Sequence, residues 1–286
     1  MNVKTPLFAN LFALLSALAC GAWAGAPAQA PHADSGALAK LKLAPGVSAA
    51  VWATKLRGPR GLVFDPAGSL WVAEESGGAV SKIEPGGRRS SAATRLKFPH
   101  DLEVDAAGNV YVAETGTGRV LVIAPGRRPS VHLKGLESPV DLAFDPNGDL
   151  LVCELAARRV TAFRSQRDPR IIVEGFGPHG LAFGKDGAIF VNDNSGGRVL
   201  KIARGGEVKA IAAGVEGPVG MALGRSGDLY VAERRAGRLL RISPEGARRT
   251  LVEGLTTPRD PAFDAAGNLY VAESEAGRIL KLSGDF

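Results

Sequence analysis

The sequence predicts an all-β fold, six four-stranded antiparallel sheets set around a common axis as a six-bladed β-propeller. Three observations predict it. A proline returns at Pro59, Pro99, Pro139, Pro178, Pro218 and Pro258, at spacings of 40, 40, 39, 40 and 40 residues. Self-similarity at about 40 residues marks units that cannot bury their apolar faces alone and must stack on their neighbours. Each unit reads as short β-forming runs between glycine-bearing turns, without helical periodicity. The chain also stops after three strands of the sixth unit, while a strand-like run stands ahead of the first.

The N-terminus is expected to direct export. Lys4 precedes an apolar run from Pro6 to Ala19, and Ala22-Trp23-Ala24 offers the small residues that a signal peptidase reads. Residues 1–24 are therefore read as a signal peptide, which places the mature protein in the periplasm or outside the cell with no remaining membrane span. Lipoprotein anchoring through Cys20 is the rival, but Ala17-Leu18-Ala19 matches a lipoprotein signal poorly. Residues 25–38, rich in Ala, Pro and Gly, read as a flexible leader, and residues 39–286 as the propeller.

The run Val47-Ser48-Ala49-Ala50-Val51-Trp52-Ala53-Thr54 aligns with the fourth-strand segments that precede each later proline. It is expected to complete the last blade, so that the two ends of the domain meet and no sheet edge stays open. Within a unit, His100-Asp101-Leu102-Glu103-Val104 leads through the turn Asp105-Ala106-Ala107-Gly108 to Asn109-Val110-Tyr111-Val112-Ala113-Glu114 and then to Arg119-Val120-Leu121-Val122-Ile123. The turn recurs as Asp65-Pro66-Ala67-Gly68, Asp145-Pro146-Asn147-Gly148 and Asp264-Ala265-Ala266-Gly267, the residue order of a type I turn.

Charge follows the repeat. Glu114 and Arg119, Glu154 and Arg159, Asp193 and Arg198, Glu233 and Arg238, and Glu273 and Arg278 stand five residues apart across the second hairpin of their blades. Such pairs read as scaffold, a carboxylate ending one strand and a guanidinium opening the next. Blade one departs, because Ala79 takes the arginine position and leaves Glu74 as a candidate for binding. Cys153 replaces the alanine found at Ala73 and Ala113; with no base beside it in sequence, it reads as a buried apolar filler.

The units resemble NHL repeats, which run from a Pro-x-Gly or Pro-x-Asp entry through a Gly-Asn-x-Tyr-Val-Ala-Asp-like strand to an arginine. Val112-Ala113-Glu114 and Val271-Ala272-Glu273 carry Glu where that family more often has Asp. The resemblance implies a propeller fold from residue 47 to 286, and function must be sought where the repeat breaks its own pattern. In a propeller the first strand of each blade lines the central channel. The residues after each proline therefore ring its mouth: Arg60-Gly61, His100-Asp101, Val140-Asp141, His179-Gly180, Val219-Gly220 and Arg259-Asp260. Arg60, Glu74, Asp101, Asp141, Arg259 and Asp260 are the candidate ligand-binding residues, for a small molecule or a peptide.

Two related families imply metal sites. In the gluconolactonase and senescence-marker propellers the resemblance implies a Glu, two Asn and an Asp, where this chain has Arg57, His100, His179 and Val219. That oxygen-rich set is missing. In the peptidylamidoglycolate lyases it implies zinc on three Pro-His-x histidines from alternate blades. Pro99-His100-Asp101 and Pro178-His179-Gly180 match, whereas Pro258-Arg259-Asp260 does not. His100 and His179 are thus candidate ligands for zinc or another divalent metal in a metal-dependent lyase or hydrolase, needing an oxygen from Asp101, Asp141 or Asp260. The alternative is that both are neutral hydrogen-bonding groups at a polar pore. His32 and His132 fall outside the mouth.

At 286 residues and 45% hydrophobic content the chain has core enough for one such domain, expected to be a monomer. Its net charge of +6 and the doublets Arg88-Arg89, Arg127-Arg128 and Arg248-Arg249 raise a third class, a scaffold meeting an anionic cell-envelope surface. Nucleic acid is disfavoured because no aromatic residues interleave with these doublets. No Gly-x-Ser-x-Gly elbow, phosphate loop, dinucleotide fingerprint or Cys-x-x-Cys pair is present.

Overall fold

A computed structural model describes residues 35–286. The expected signal peptide, Cys20, His32 and the leader up to residue 34 lie outside the described residues. The first blade is built from Pro59–Phe64, Leu70–Glu74, Ala79–Ile83 and Arg89–Thr94, each strand antiparallel to the last. Five further units repeat this meander, giving six radial sheets whose first strands begin at the six prolines. The Asp-x-x-Gly turns fold as their residues dictate. Asp65 Oδ1 accepts the N–H of Ser69, Asp105 and Asp264 do the same for Asn109 and Asn268, and Gly68 takes a φ of +79° that a side chain would oppose.

The ring closes as expected. Ser48–Ala53 lies antiparallel to Arg278–Ser283, with Ser48 opposite Ser283 and Val51 opposite Leu280, and it supplies the outer strand that the last blade lacks. One feature was not foreseen. On its way to that strand, Lys42–Leu43 pairs with Arg248–Glu253 and gives blade five a fifth strand, preceded by the single helical turn Ser35–Leu38. The four-strand pattern came from the internal repeats, and this edge is supplied by sequence outside them.

Between every two adjacent blades lies one apolar cluster. Leu70 and Val72 of blade one, for example, pack on Tyr270, Ala272 and Ile279 of blade six, and Leu133 and Leu136 of blade two on Leu142 and Val152 of blade three. Stability is therefore distributed over six nearest-neighbour interfaces, and each depends on ring closure.

The Glu/Asp–Arg pairs form in all five blades where they were expected, with each carboxylate buried. Each carboxylate also accepts a backbone N–H sixteen or seventeen residues upstream, from Lys97, Glu137, Gly177, Glu216 and Thr256 in turn. It thereby fastens the segment that enters its own blade. The expectation that Glu74 lacks a partner is corrected. Arg89, from the outer strand of the same blade, lies 2.5 Å from Glu74 Oε1, and Ser81 and the Arg57 N–H complete the carboxylate's shell. Glu74 is a buried scaffold residue.

Candidate functional site

Every first strand breaks register immediately after its proline, between Pro59 and Leu62 in blade one, Pro139 and Asp141 in blade three, and at the matching positions elsewhere. Such irregularities re-aim side chains out of the ladder. At the mouth they bring Arg60, His100, Asp101, Asp141, His179, Arg259 and Asp260 around one cavity of about 20 Å³, with Gly61, Val219 and Gly220. All the candidate ligand-binding and metal residues except Glu74 therefore meet. A space of that size has room for one water or ion.

Three acids and three glycines share the next position around this ring. Positions two after the prolines read Gly61, Asp101, Asp141, Gly180, Gly220 and Asp260. A Cβ on Gly61 would lie 2.6 Å from the Asp101 Cα, and one on Gly220 would strike the Asp260 carboxylate. The glycines are what leave room for the acids. Each aspartate also bridges blades, with Asp101 accepting the N–H of Leu142, Asp141 that of Leu181 and Asp260 that of Leu62, at 3.0, 3.0 and 3.1 Å.

The three carboxylates gather to within 4.8 Å of one another. Among the described residues none forms an ion pair with them, and burial dominates their protonation. It pushes Asp101 up to about 7, and burial together with the charge of Asp101 pushes Asp141 and Asp260 well above the usual carboxylate range. Glu103, behind Asp101, is pushed up to about 8 for the same reasons.

Above the acids the mouth is cationic. Arg60 donates from Nη1 to His100 Nε2 at 2.5 Å and pairs with Glu75 at 2.7 Å. The His100 and His179 rings are 5.1 Å apart. Burial, the neighbouring ring and the guanidinium groups of Arg60 and Arg259 hold His100 well below its ordinary range, while burial and the same two cations take His179 down to about 3. Both are neutral near pH 7. Among the described residues Arg259 has no carboxylate within ion-pair distance, and its buried Nε lacks a hydrogen-bond partner. Burial first, and then Arg60 and Arg234, lower its guanidinium to about 10.

Arg234 is a mouth residue that the sequence reading missed. It stands one place after the acid that ends the second strand, where Thr115 and Asn194 reach across to the next blade's entry carbonyls of Pro139 and Pro218. This position forms a second ring around the mouth, and the signal was available as the varied residue after each Glu or Asp.

The fit to a metal shifts from the histidines to the aspartates. Among the described residues, the Asp101/Asp141/Asp260 set is the group of three potential ligands close enough to share an ion, and it includes neither histidine. The Nε2 lone pair of His100 is turned to Arg60, and Arg259 supplies a cation where a third histidine would be needed. Three carboxylate oxygens suit a hard divalent ion rather than zinc. The basic-face expectation also changes at blade one, where Arg88 is paired with Glu84 and Arg89 with Glu74.

These features define a six-bladed β-propeller with a polar, non-repeating channel mouth. No protein-family model and no curated protein matches the sequence. Among solved structures the chain is similar to a gluconolactonase from Xanthomonas campestris, at 17% identity over 84% of this chain and 90% of that one with a TM-score of 0.75. It is similar to a streptogramin B lyase, at 15% identity over 84% and 98% with a TM-score of 0.68. A catalytically inactive histidine-to-alanine variant of virginiamycin B lyase from Staphylococcus aureus, solved with quinupristin, matches at 17% over 85% and 99% with a TM-score of 0.65. At these identities the likeness is one of fold.

Proposed function

We propose that this chain is an exported propeller that binds a small organic anion at its channel mouth. The observation that carries the reading is Arg259, a largely buried guanidinium beside Arg60 and Arg234 with no carboxylate in contact among the described residues. Burying an uncompensated cation costs stability, and an anionic ligand recovers that cost through charge-assisted hydrogen bonds. The two neutral histidines beside it add hydrogen-bonding capacity without competing charge. Titration of small carboxylates and phosphates followed by calorimetry is the test. Binding at least tenfold weaker in Arg259→Gln supports the reading, and a wild-type protein that binds none of the anions overturns it.

The carboxylate cluster favours a second reading, a metal-dependent hydrolase or lyase. Asp101, Asp141 and Asp260 would hold a hard divalent ion, which when bound supplies Lewis acidity or an activated water. Arg60 and Arg259 would then orient an anionic substrate above it. Titration with calcium, magnesium or manganese distinguishes the readings, because stabilisation that Asp141→Asn abolishes is required by the second and not by the first.

A further inference from the structure

Phe98 occupies a backbone conformation that an aromatic side chain opposes. It is the last residue before the entry proline of blade two, and its φ is +52°. Blades one and five place Gly58 and Gly217 here, and blades three and six the smaller Ser138 and Thr257, all at positive φ. Five of the six blades share this conformation, Gly177 of blade four being the exception, and a bulky residue in it is strained. Burial does not repay the strain, since Phe98 is 60% exposed. An exposed, strained aromatic residue just ahead of an entry proline, two residues before a cavity-lining histidine, calls for a role beyond packing.

The surroundings hold the ring in place. A Cβ added at Gly116 would lie 2.8 Å from the Phe98 Cδ2, so the ring rests in a notch that exists because residue 116 has no side chain. Other blades carry Ser76, Ala156, Ser195, Arg235 and Glu275 at that position. Thr115 donates its N–H to the Phe98 carbonyl and its hydroxyl to Pro139, which fixes the same corner from below. His100, two residues on, lines the cavity. The ring is seated on Gly116 and otherwise largely exposed, in the blade whose His100 lines the cavity. The cations come from blades five, six and one, as Arg234, Arg259 and Arg60, and Arg60 reaches across to His100 of blade two.

Resting on the anion-binding reading above, we propose that Phe98 is the apolar half of an amphipathic recognition site. The ligand is an organic anion carrying an aryl or similarly flat apolar group, whose carboxylate meets the arginines while its apolar body lies on the Phe98 ring. Stacked aromatic pairs add binding beyond simple area burial.

The experiment is calorimetric titration of acetate, phenylacetate and 2-phenylethanol into wild type, Phe98→Gly and Arg259→Gln, with thermal unfolding of each. Phenylacetate is expected to bind wild type about tenfold more tightly than acetate, a preference that falls to about twofold or less in Phe98→Gly while acetate binding is kept. Phe98→Gly should also unfold a few degrees higher, because glycine adopts this φ without strain. Equal binding of the two acids to wild type, or an unchanged preference in Phe98→Gly, overturns the inference and leaves anion binding standing. Failure of both acids to bind wild type overturns both readings. A lower unfolding temperature for Phe98→Gly shows that the ring is a packing residue and overturns the platform.

Discussion

The Nη2 of Arg89 lies 2.5 Å from Glu74 Oε1, so blade one closes with an arginine from its fourth strand the ion pair that five other blades close from their third. Glu74 is almost wholly buried and Arg89 about one-third exposed, which makes this a buried acid with a partly solvated partner. Arg89→Ala should destabilise the protein by about 1–3 kcal/mol, because the carboxylate keeps only Ser81 and the Arg57 N–H. Adding Ala79→Arg restores the arrangement of the other blades and should recover most of the loss. Urea unfolding of the single and double variants checks both, and an unchanged midpoint in Arg89→Ala would show the pair to be incidental.

That relationship also shows what sequence could reveal here. Periodicity exposed everything that repeats: the prolines, the hairpin ion pairs, the turn aspartates and the closing strand at residues 48–53. It also pointed to the mouth, because the residues after each proline are where the repeat varies. Compensation within a blade was invisible, since Arg89 sits fifteen residues and two strands away from Glu74. The packing of Gly61 against Asp101 and the gathering of three acids from blades two, three and six depend on curvature around the axis, which a linear pattern does not carry. The fifth strand of blade five was hidden because two residues, Lys42 and Leu43, are too short a signal.

Cys153 is fully buried, and burial, with Asp141 and Asp101 nearby, pushes its thiol well above the ordinary range. In a Cys20→Ala background the native protein should not react with a thiol reagent at pH 8, and one thiol should titrate after unfolding. The equivalent positions hold Ala73, Ala113, Ala232 and Ala272, so Cys153→Ala should cost only about 1 kcal/mol. Rapid labelling of the folded protein would contradict the inert role.

Closure and edge protection are separable. Val51 is fully buried opposite Leu280, whereas Lys42 meets Glu253 at 3.9 Å on an exposed edge. Removing residues up to 44 should lower the melting temperature by only a few degrees, since exposed ion pairs contribute about 0–1 kcal/mol. Val51→Asp should cost about 3 kcal/mol or more by burying an unpaired charge in the closing strand. Thermal unfolding should still be a single transition, because opening one interface opens the ring. Equal effects from the two changes would remove the distinction.

The acids of the channel make a pH signature with a defined sign. In an unfolded chain an aspartate ionises near 3.8, whereas Asp101 titrates at about 7 in the fold, and Asp141 and Asp260 are raised well above their ordinary value. The folded state therefore holds more protons than the unfolded state from about pH 4 upward, and these groups remove stability as pH rises through 7. His100 and His179 act in the opposite window. Held neutral by burial and neighbouring cations, they favour the unfolded chain as pH drops below 6.5. Asp141→Asn separates the two, because the amide oxygen can still accept the Leu181 N–H while the charge cannot form. Wild type and variant should melt together near pH 3, where the acid is largely protonated folded or unfolded, and the variant should pull ahead by several degrees at pH 8. A divalent ion bound by the cluster would reverse that order at pH 8 by stabilising wild type alone. Parallel melting curves across pH 3–8, with no response to the ion, would mean that the three carboxylates do not share a dry pocket.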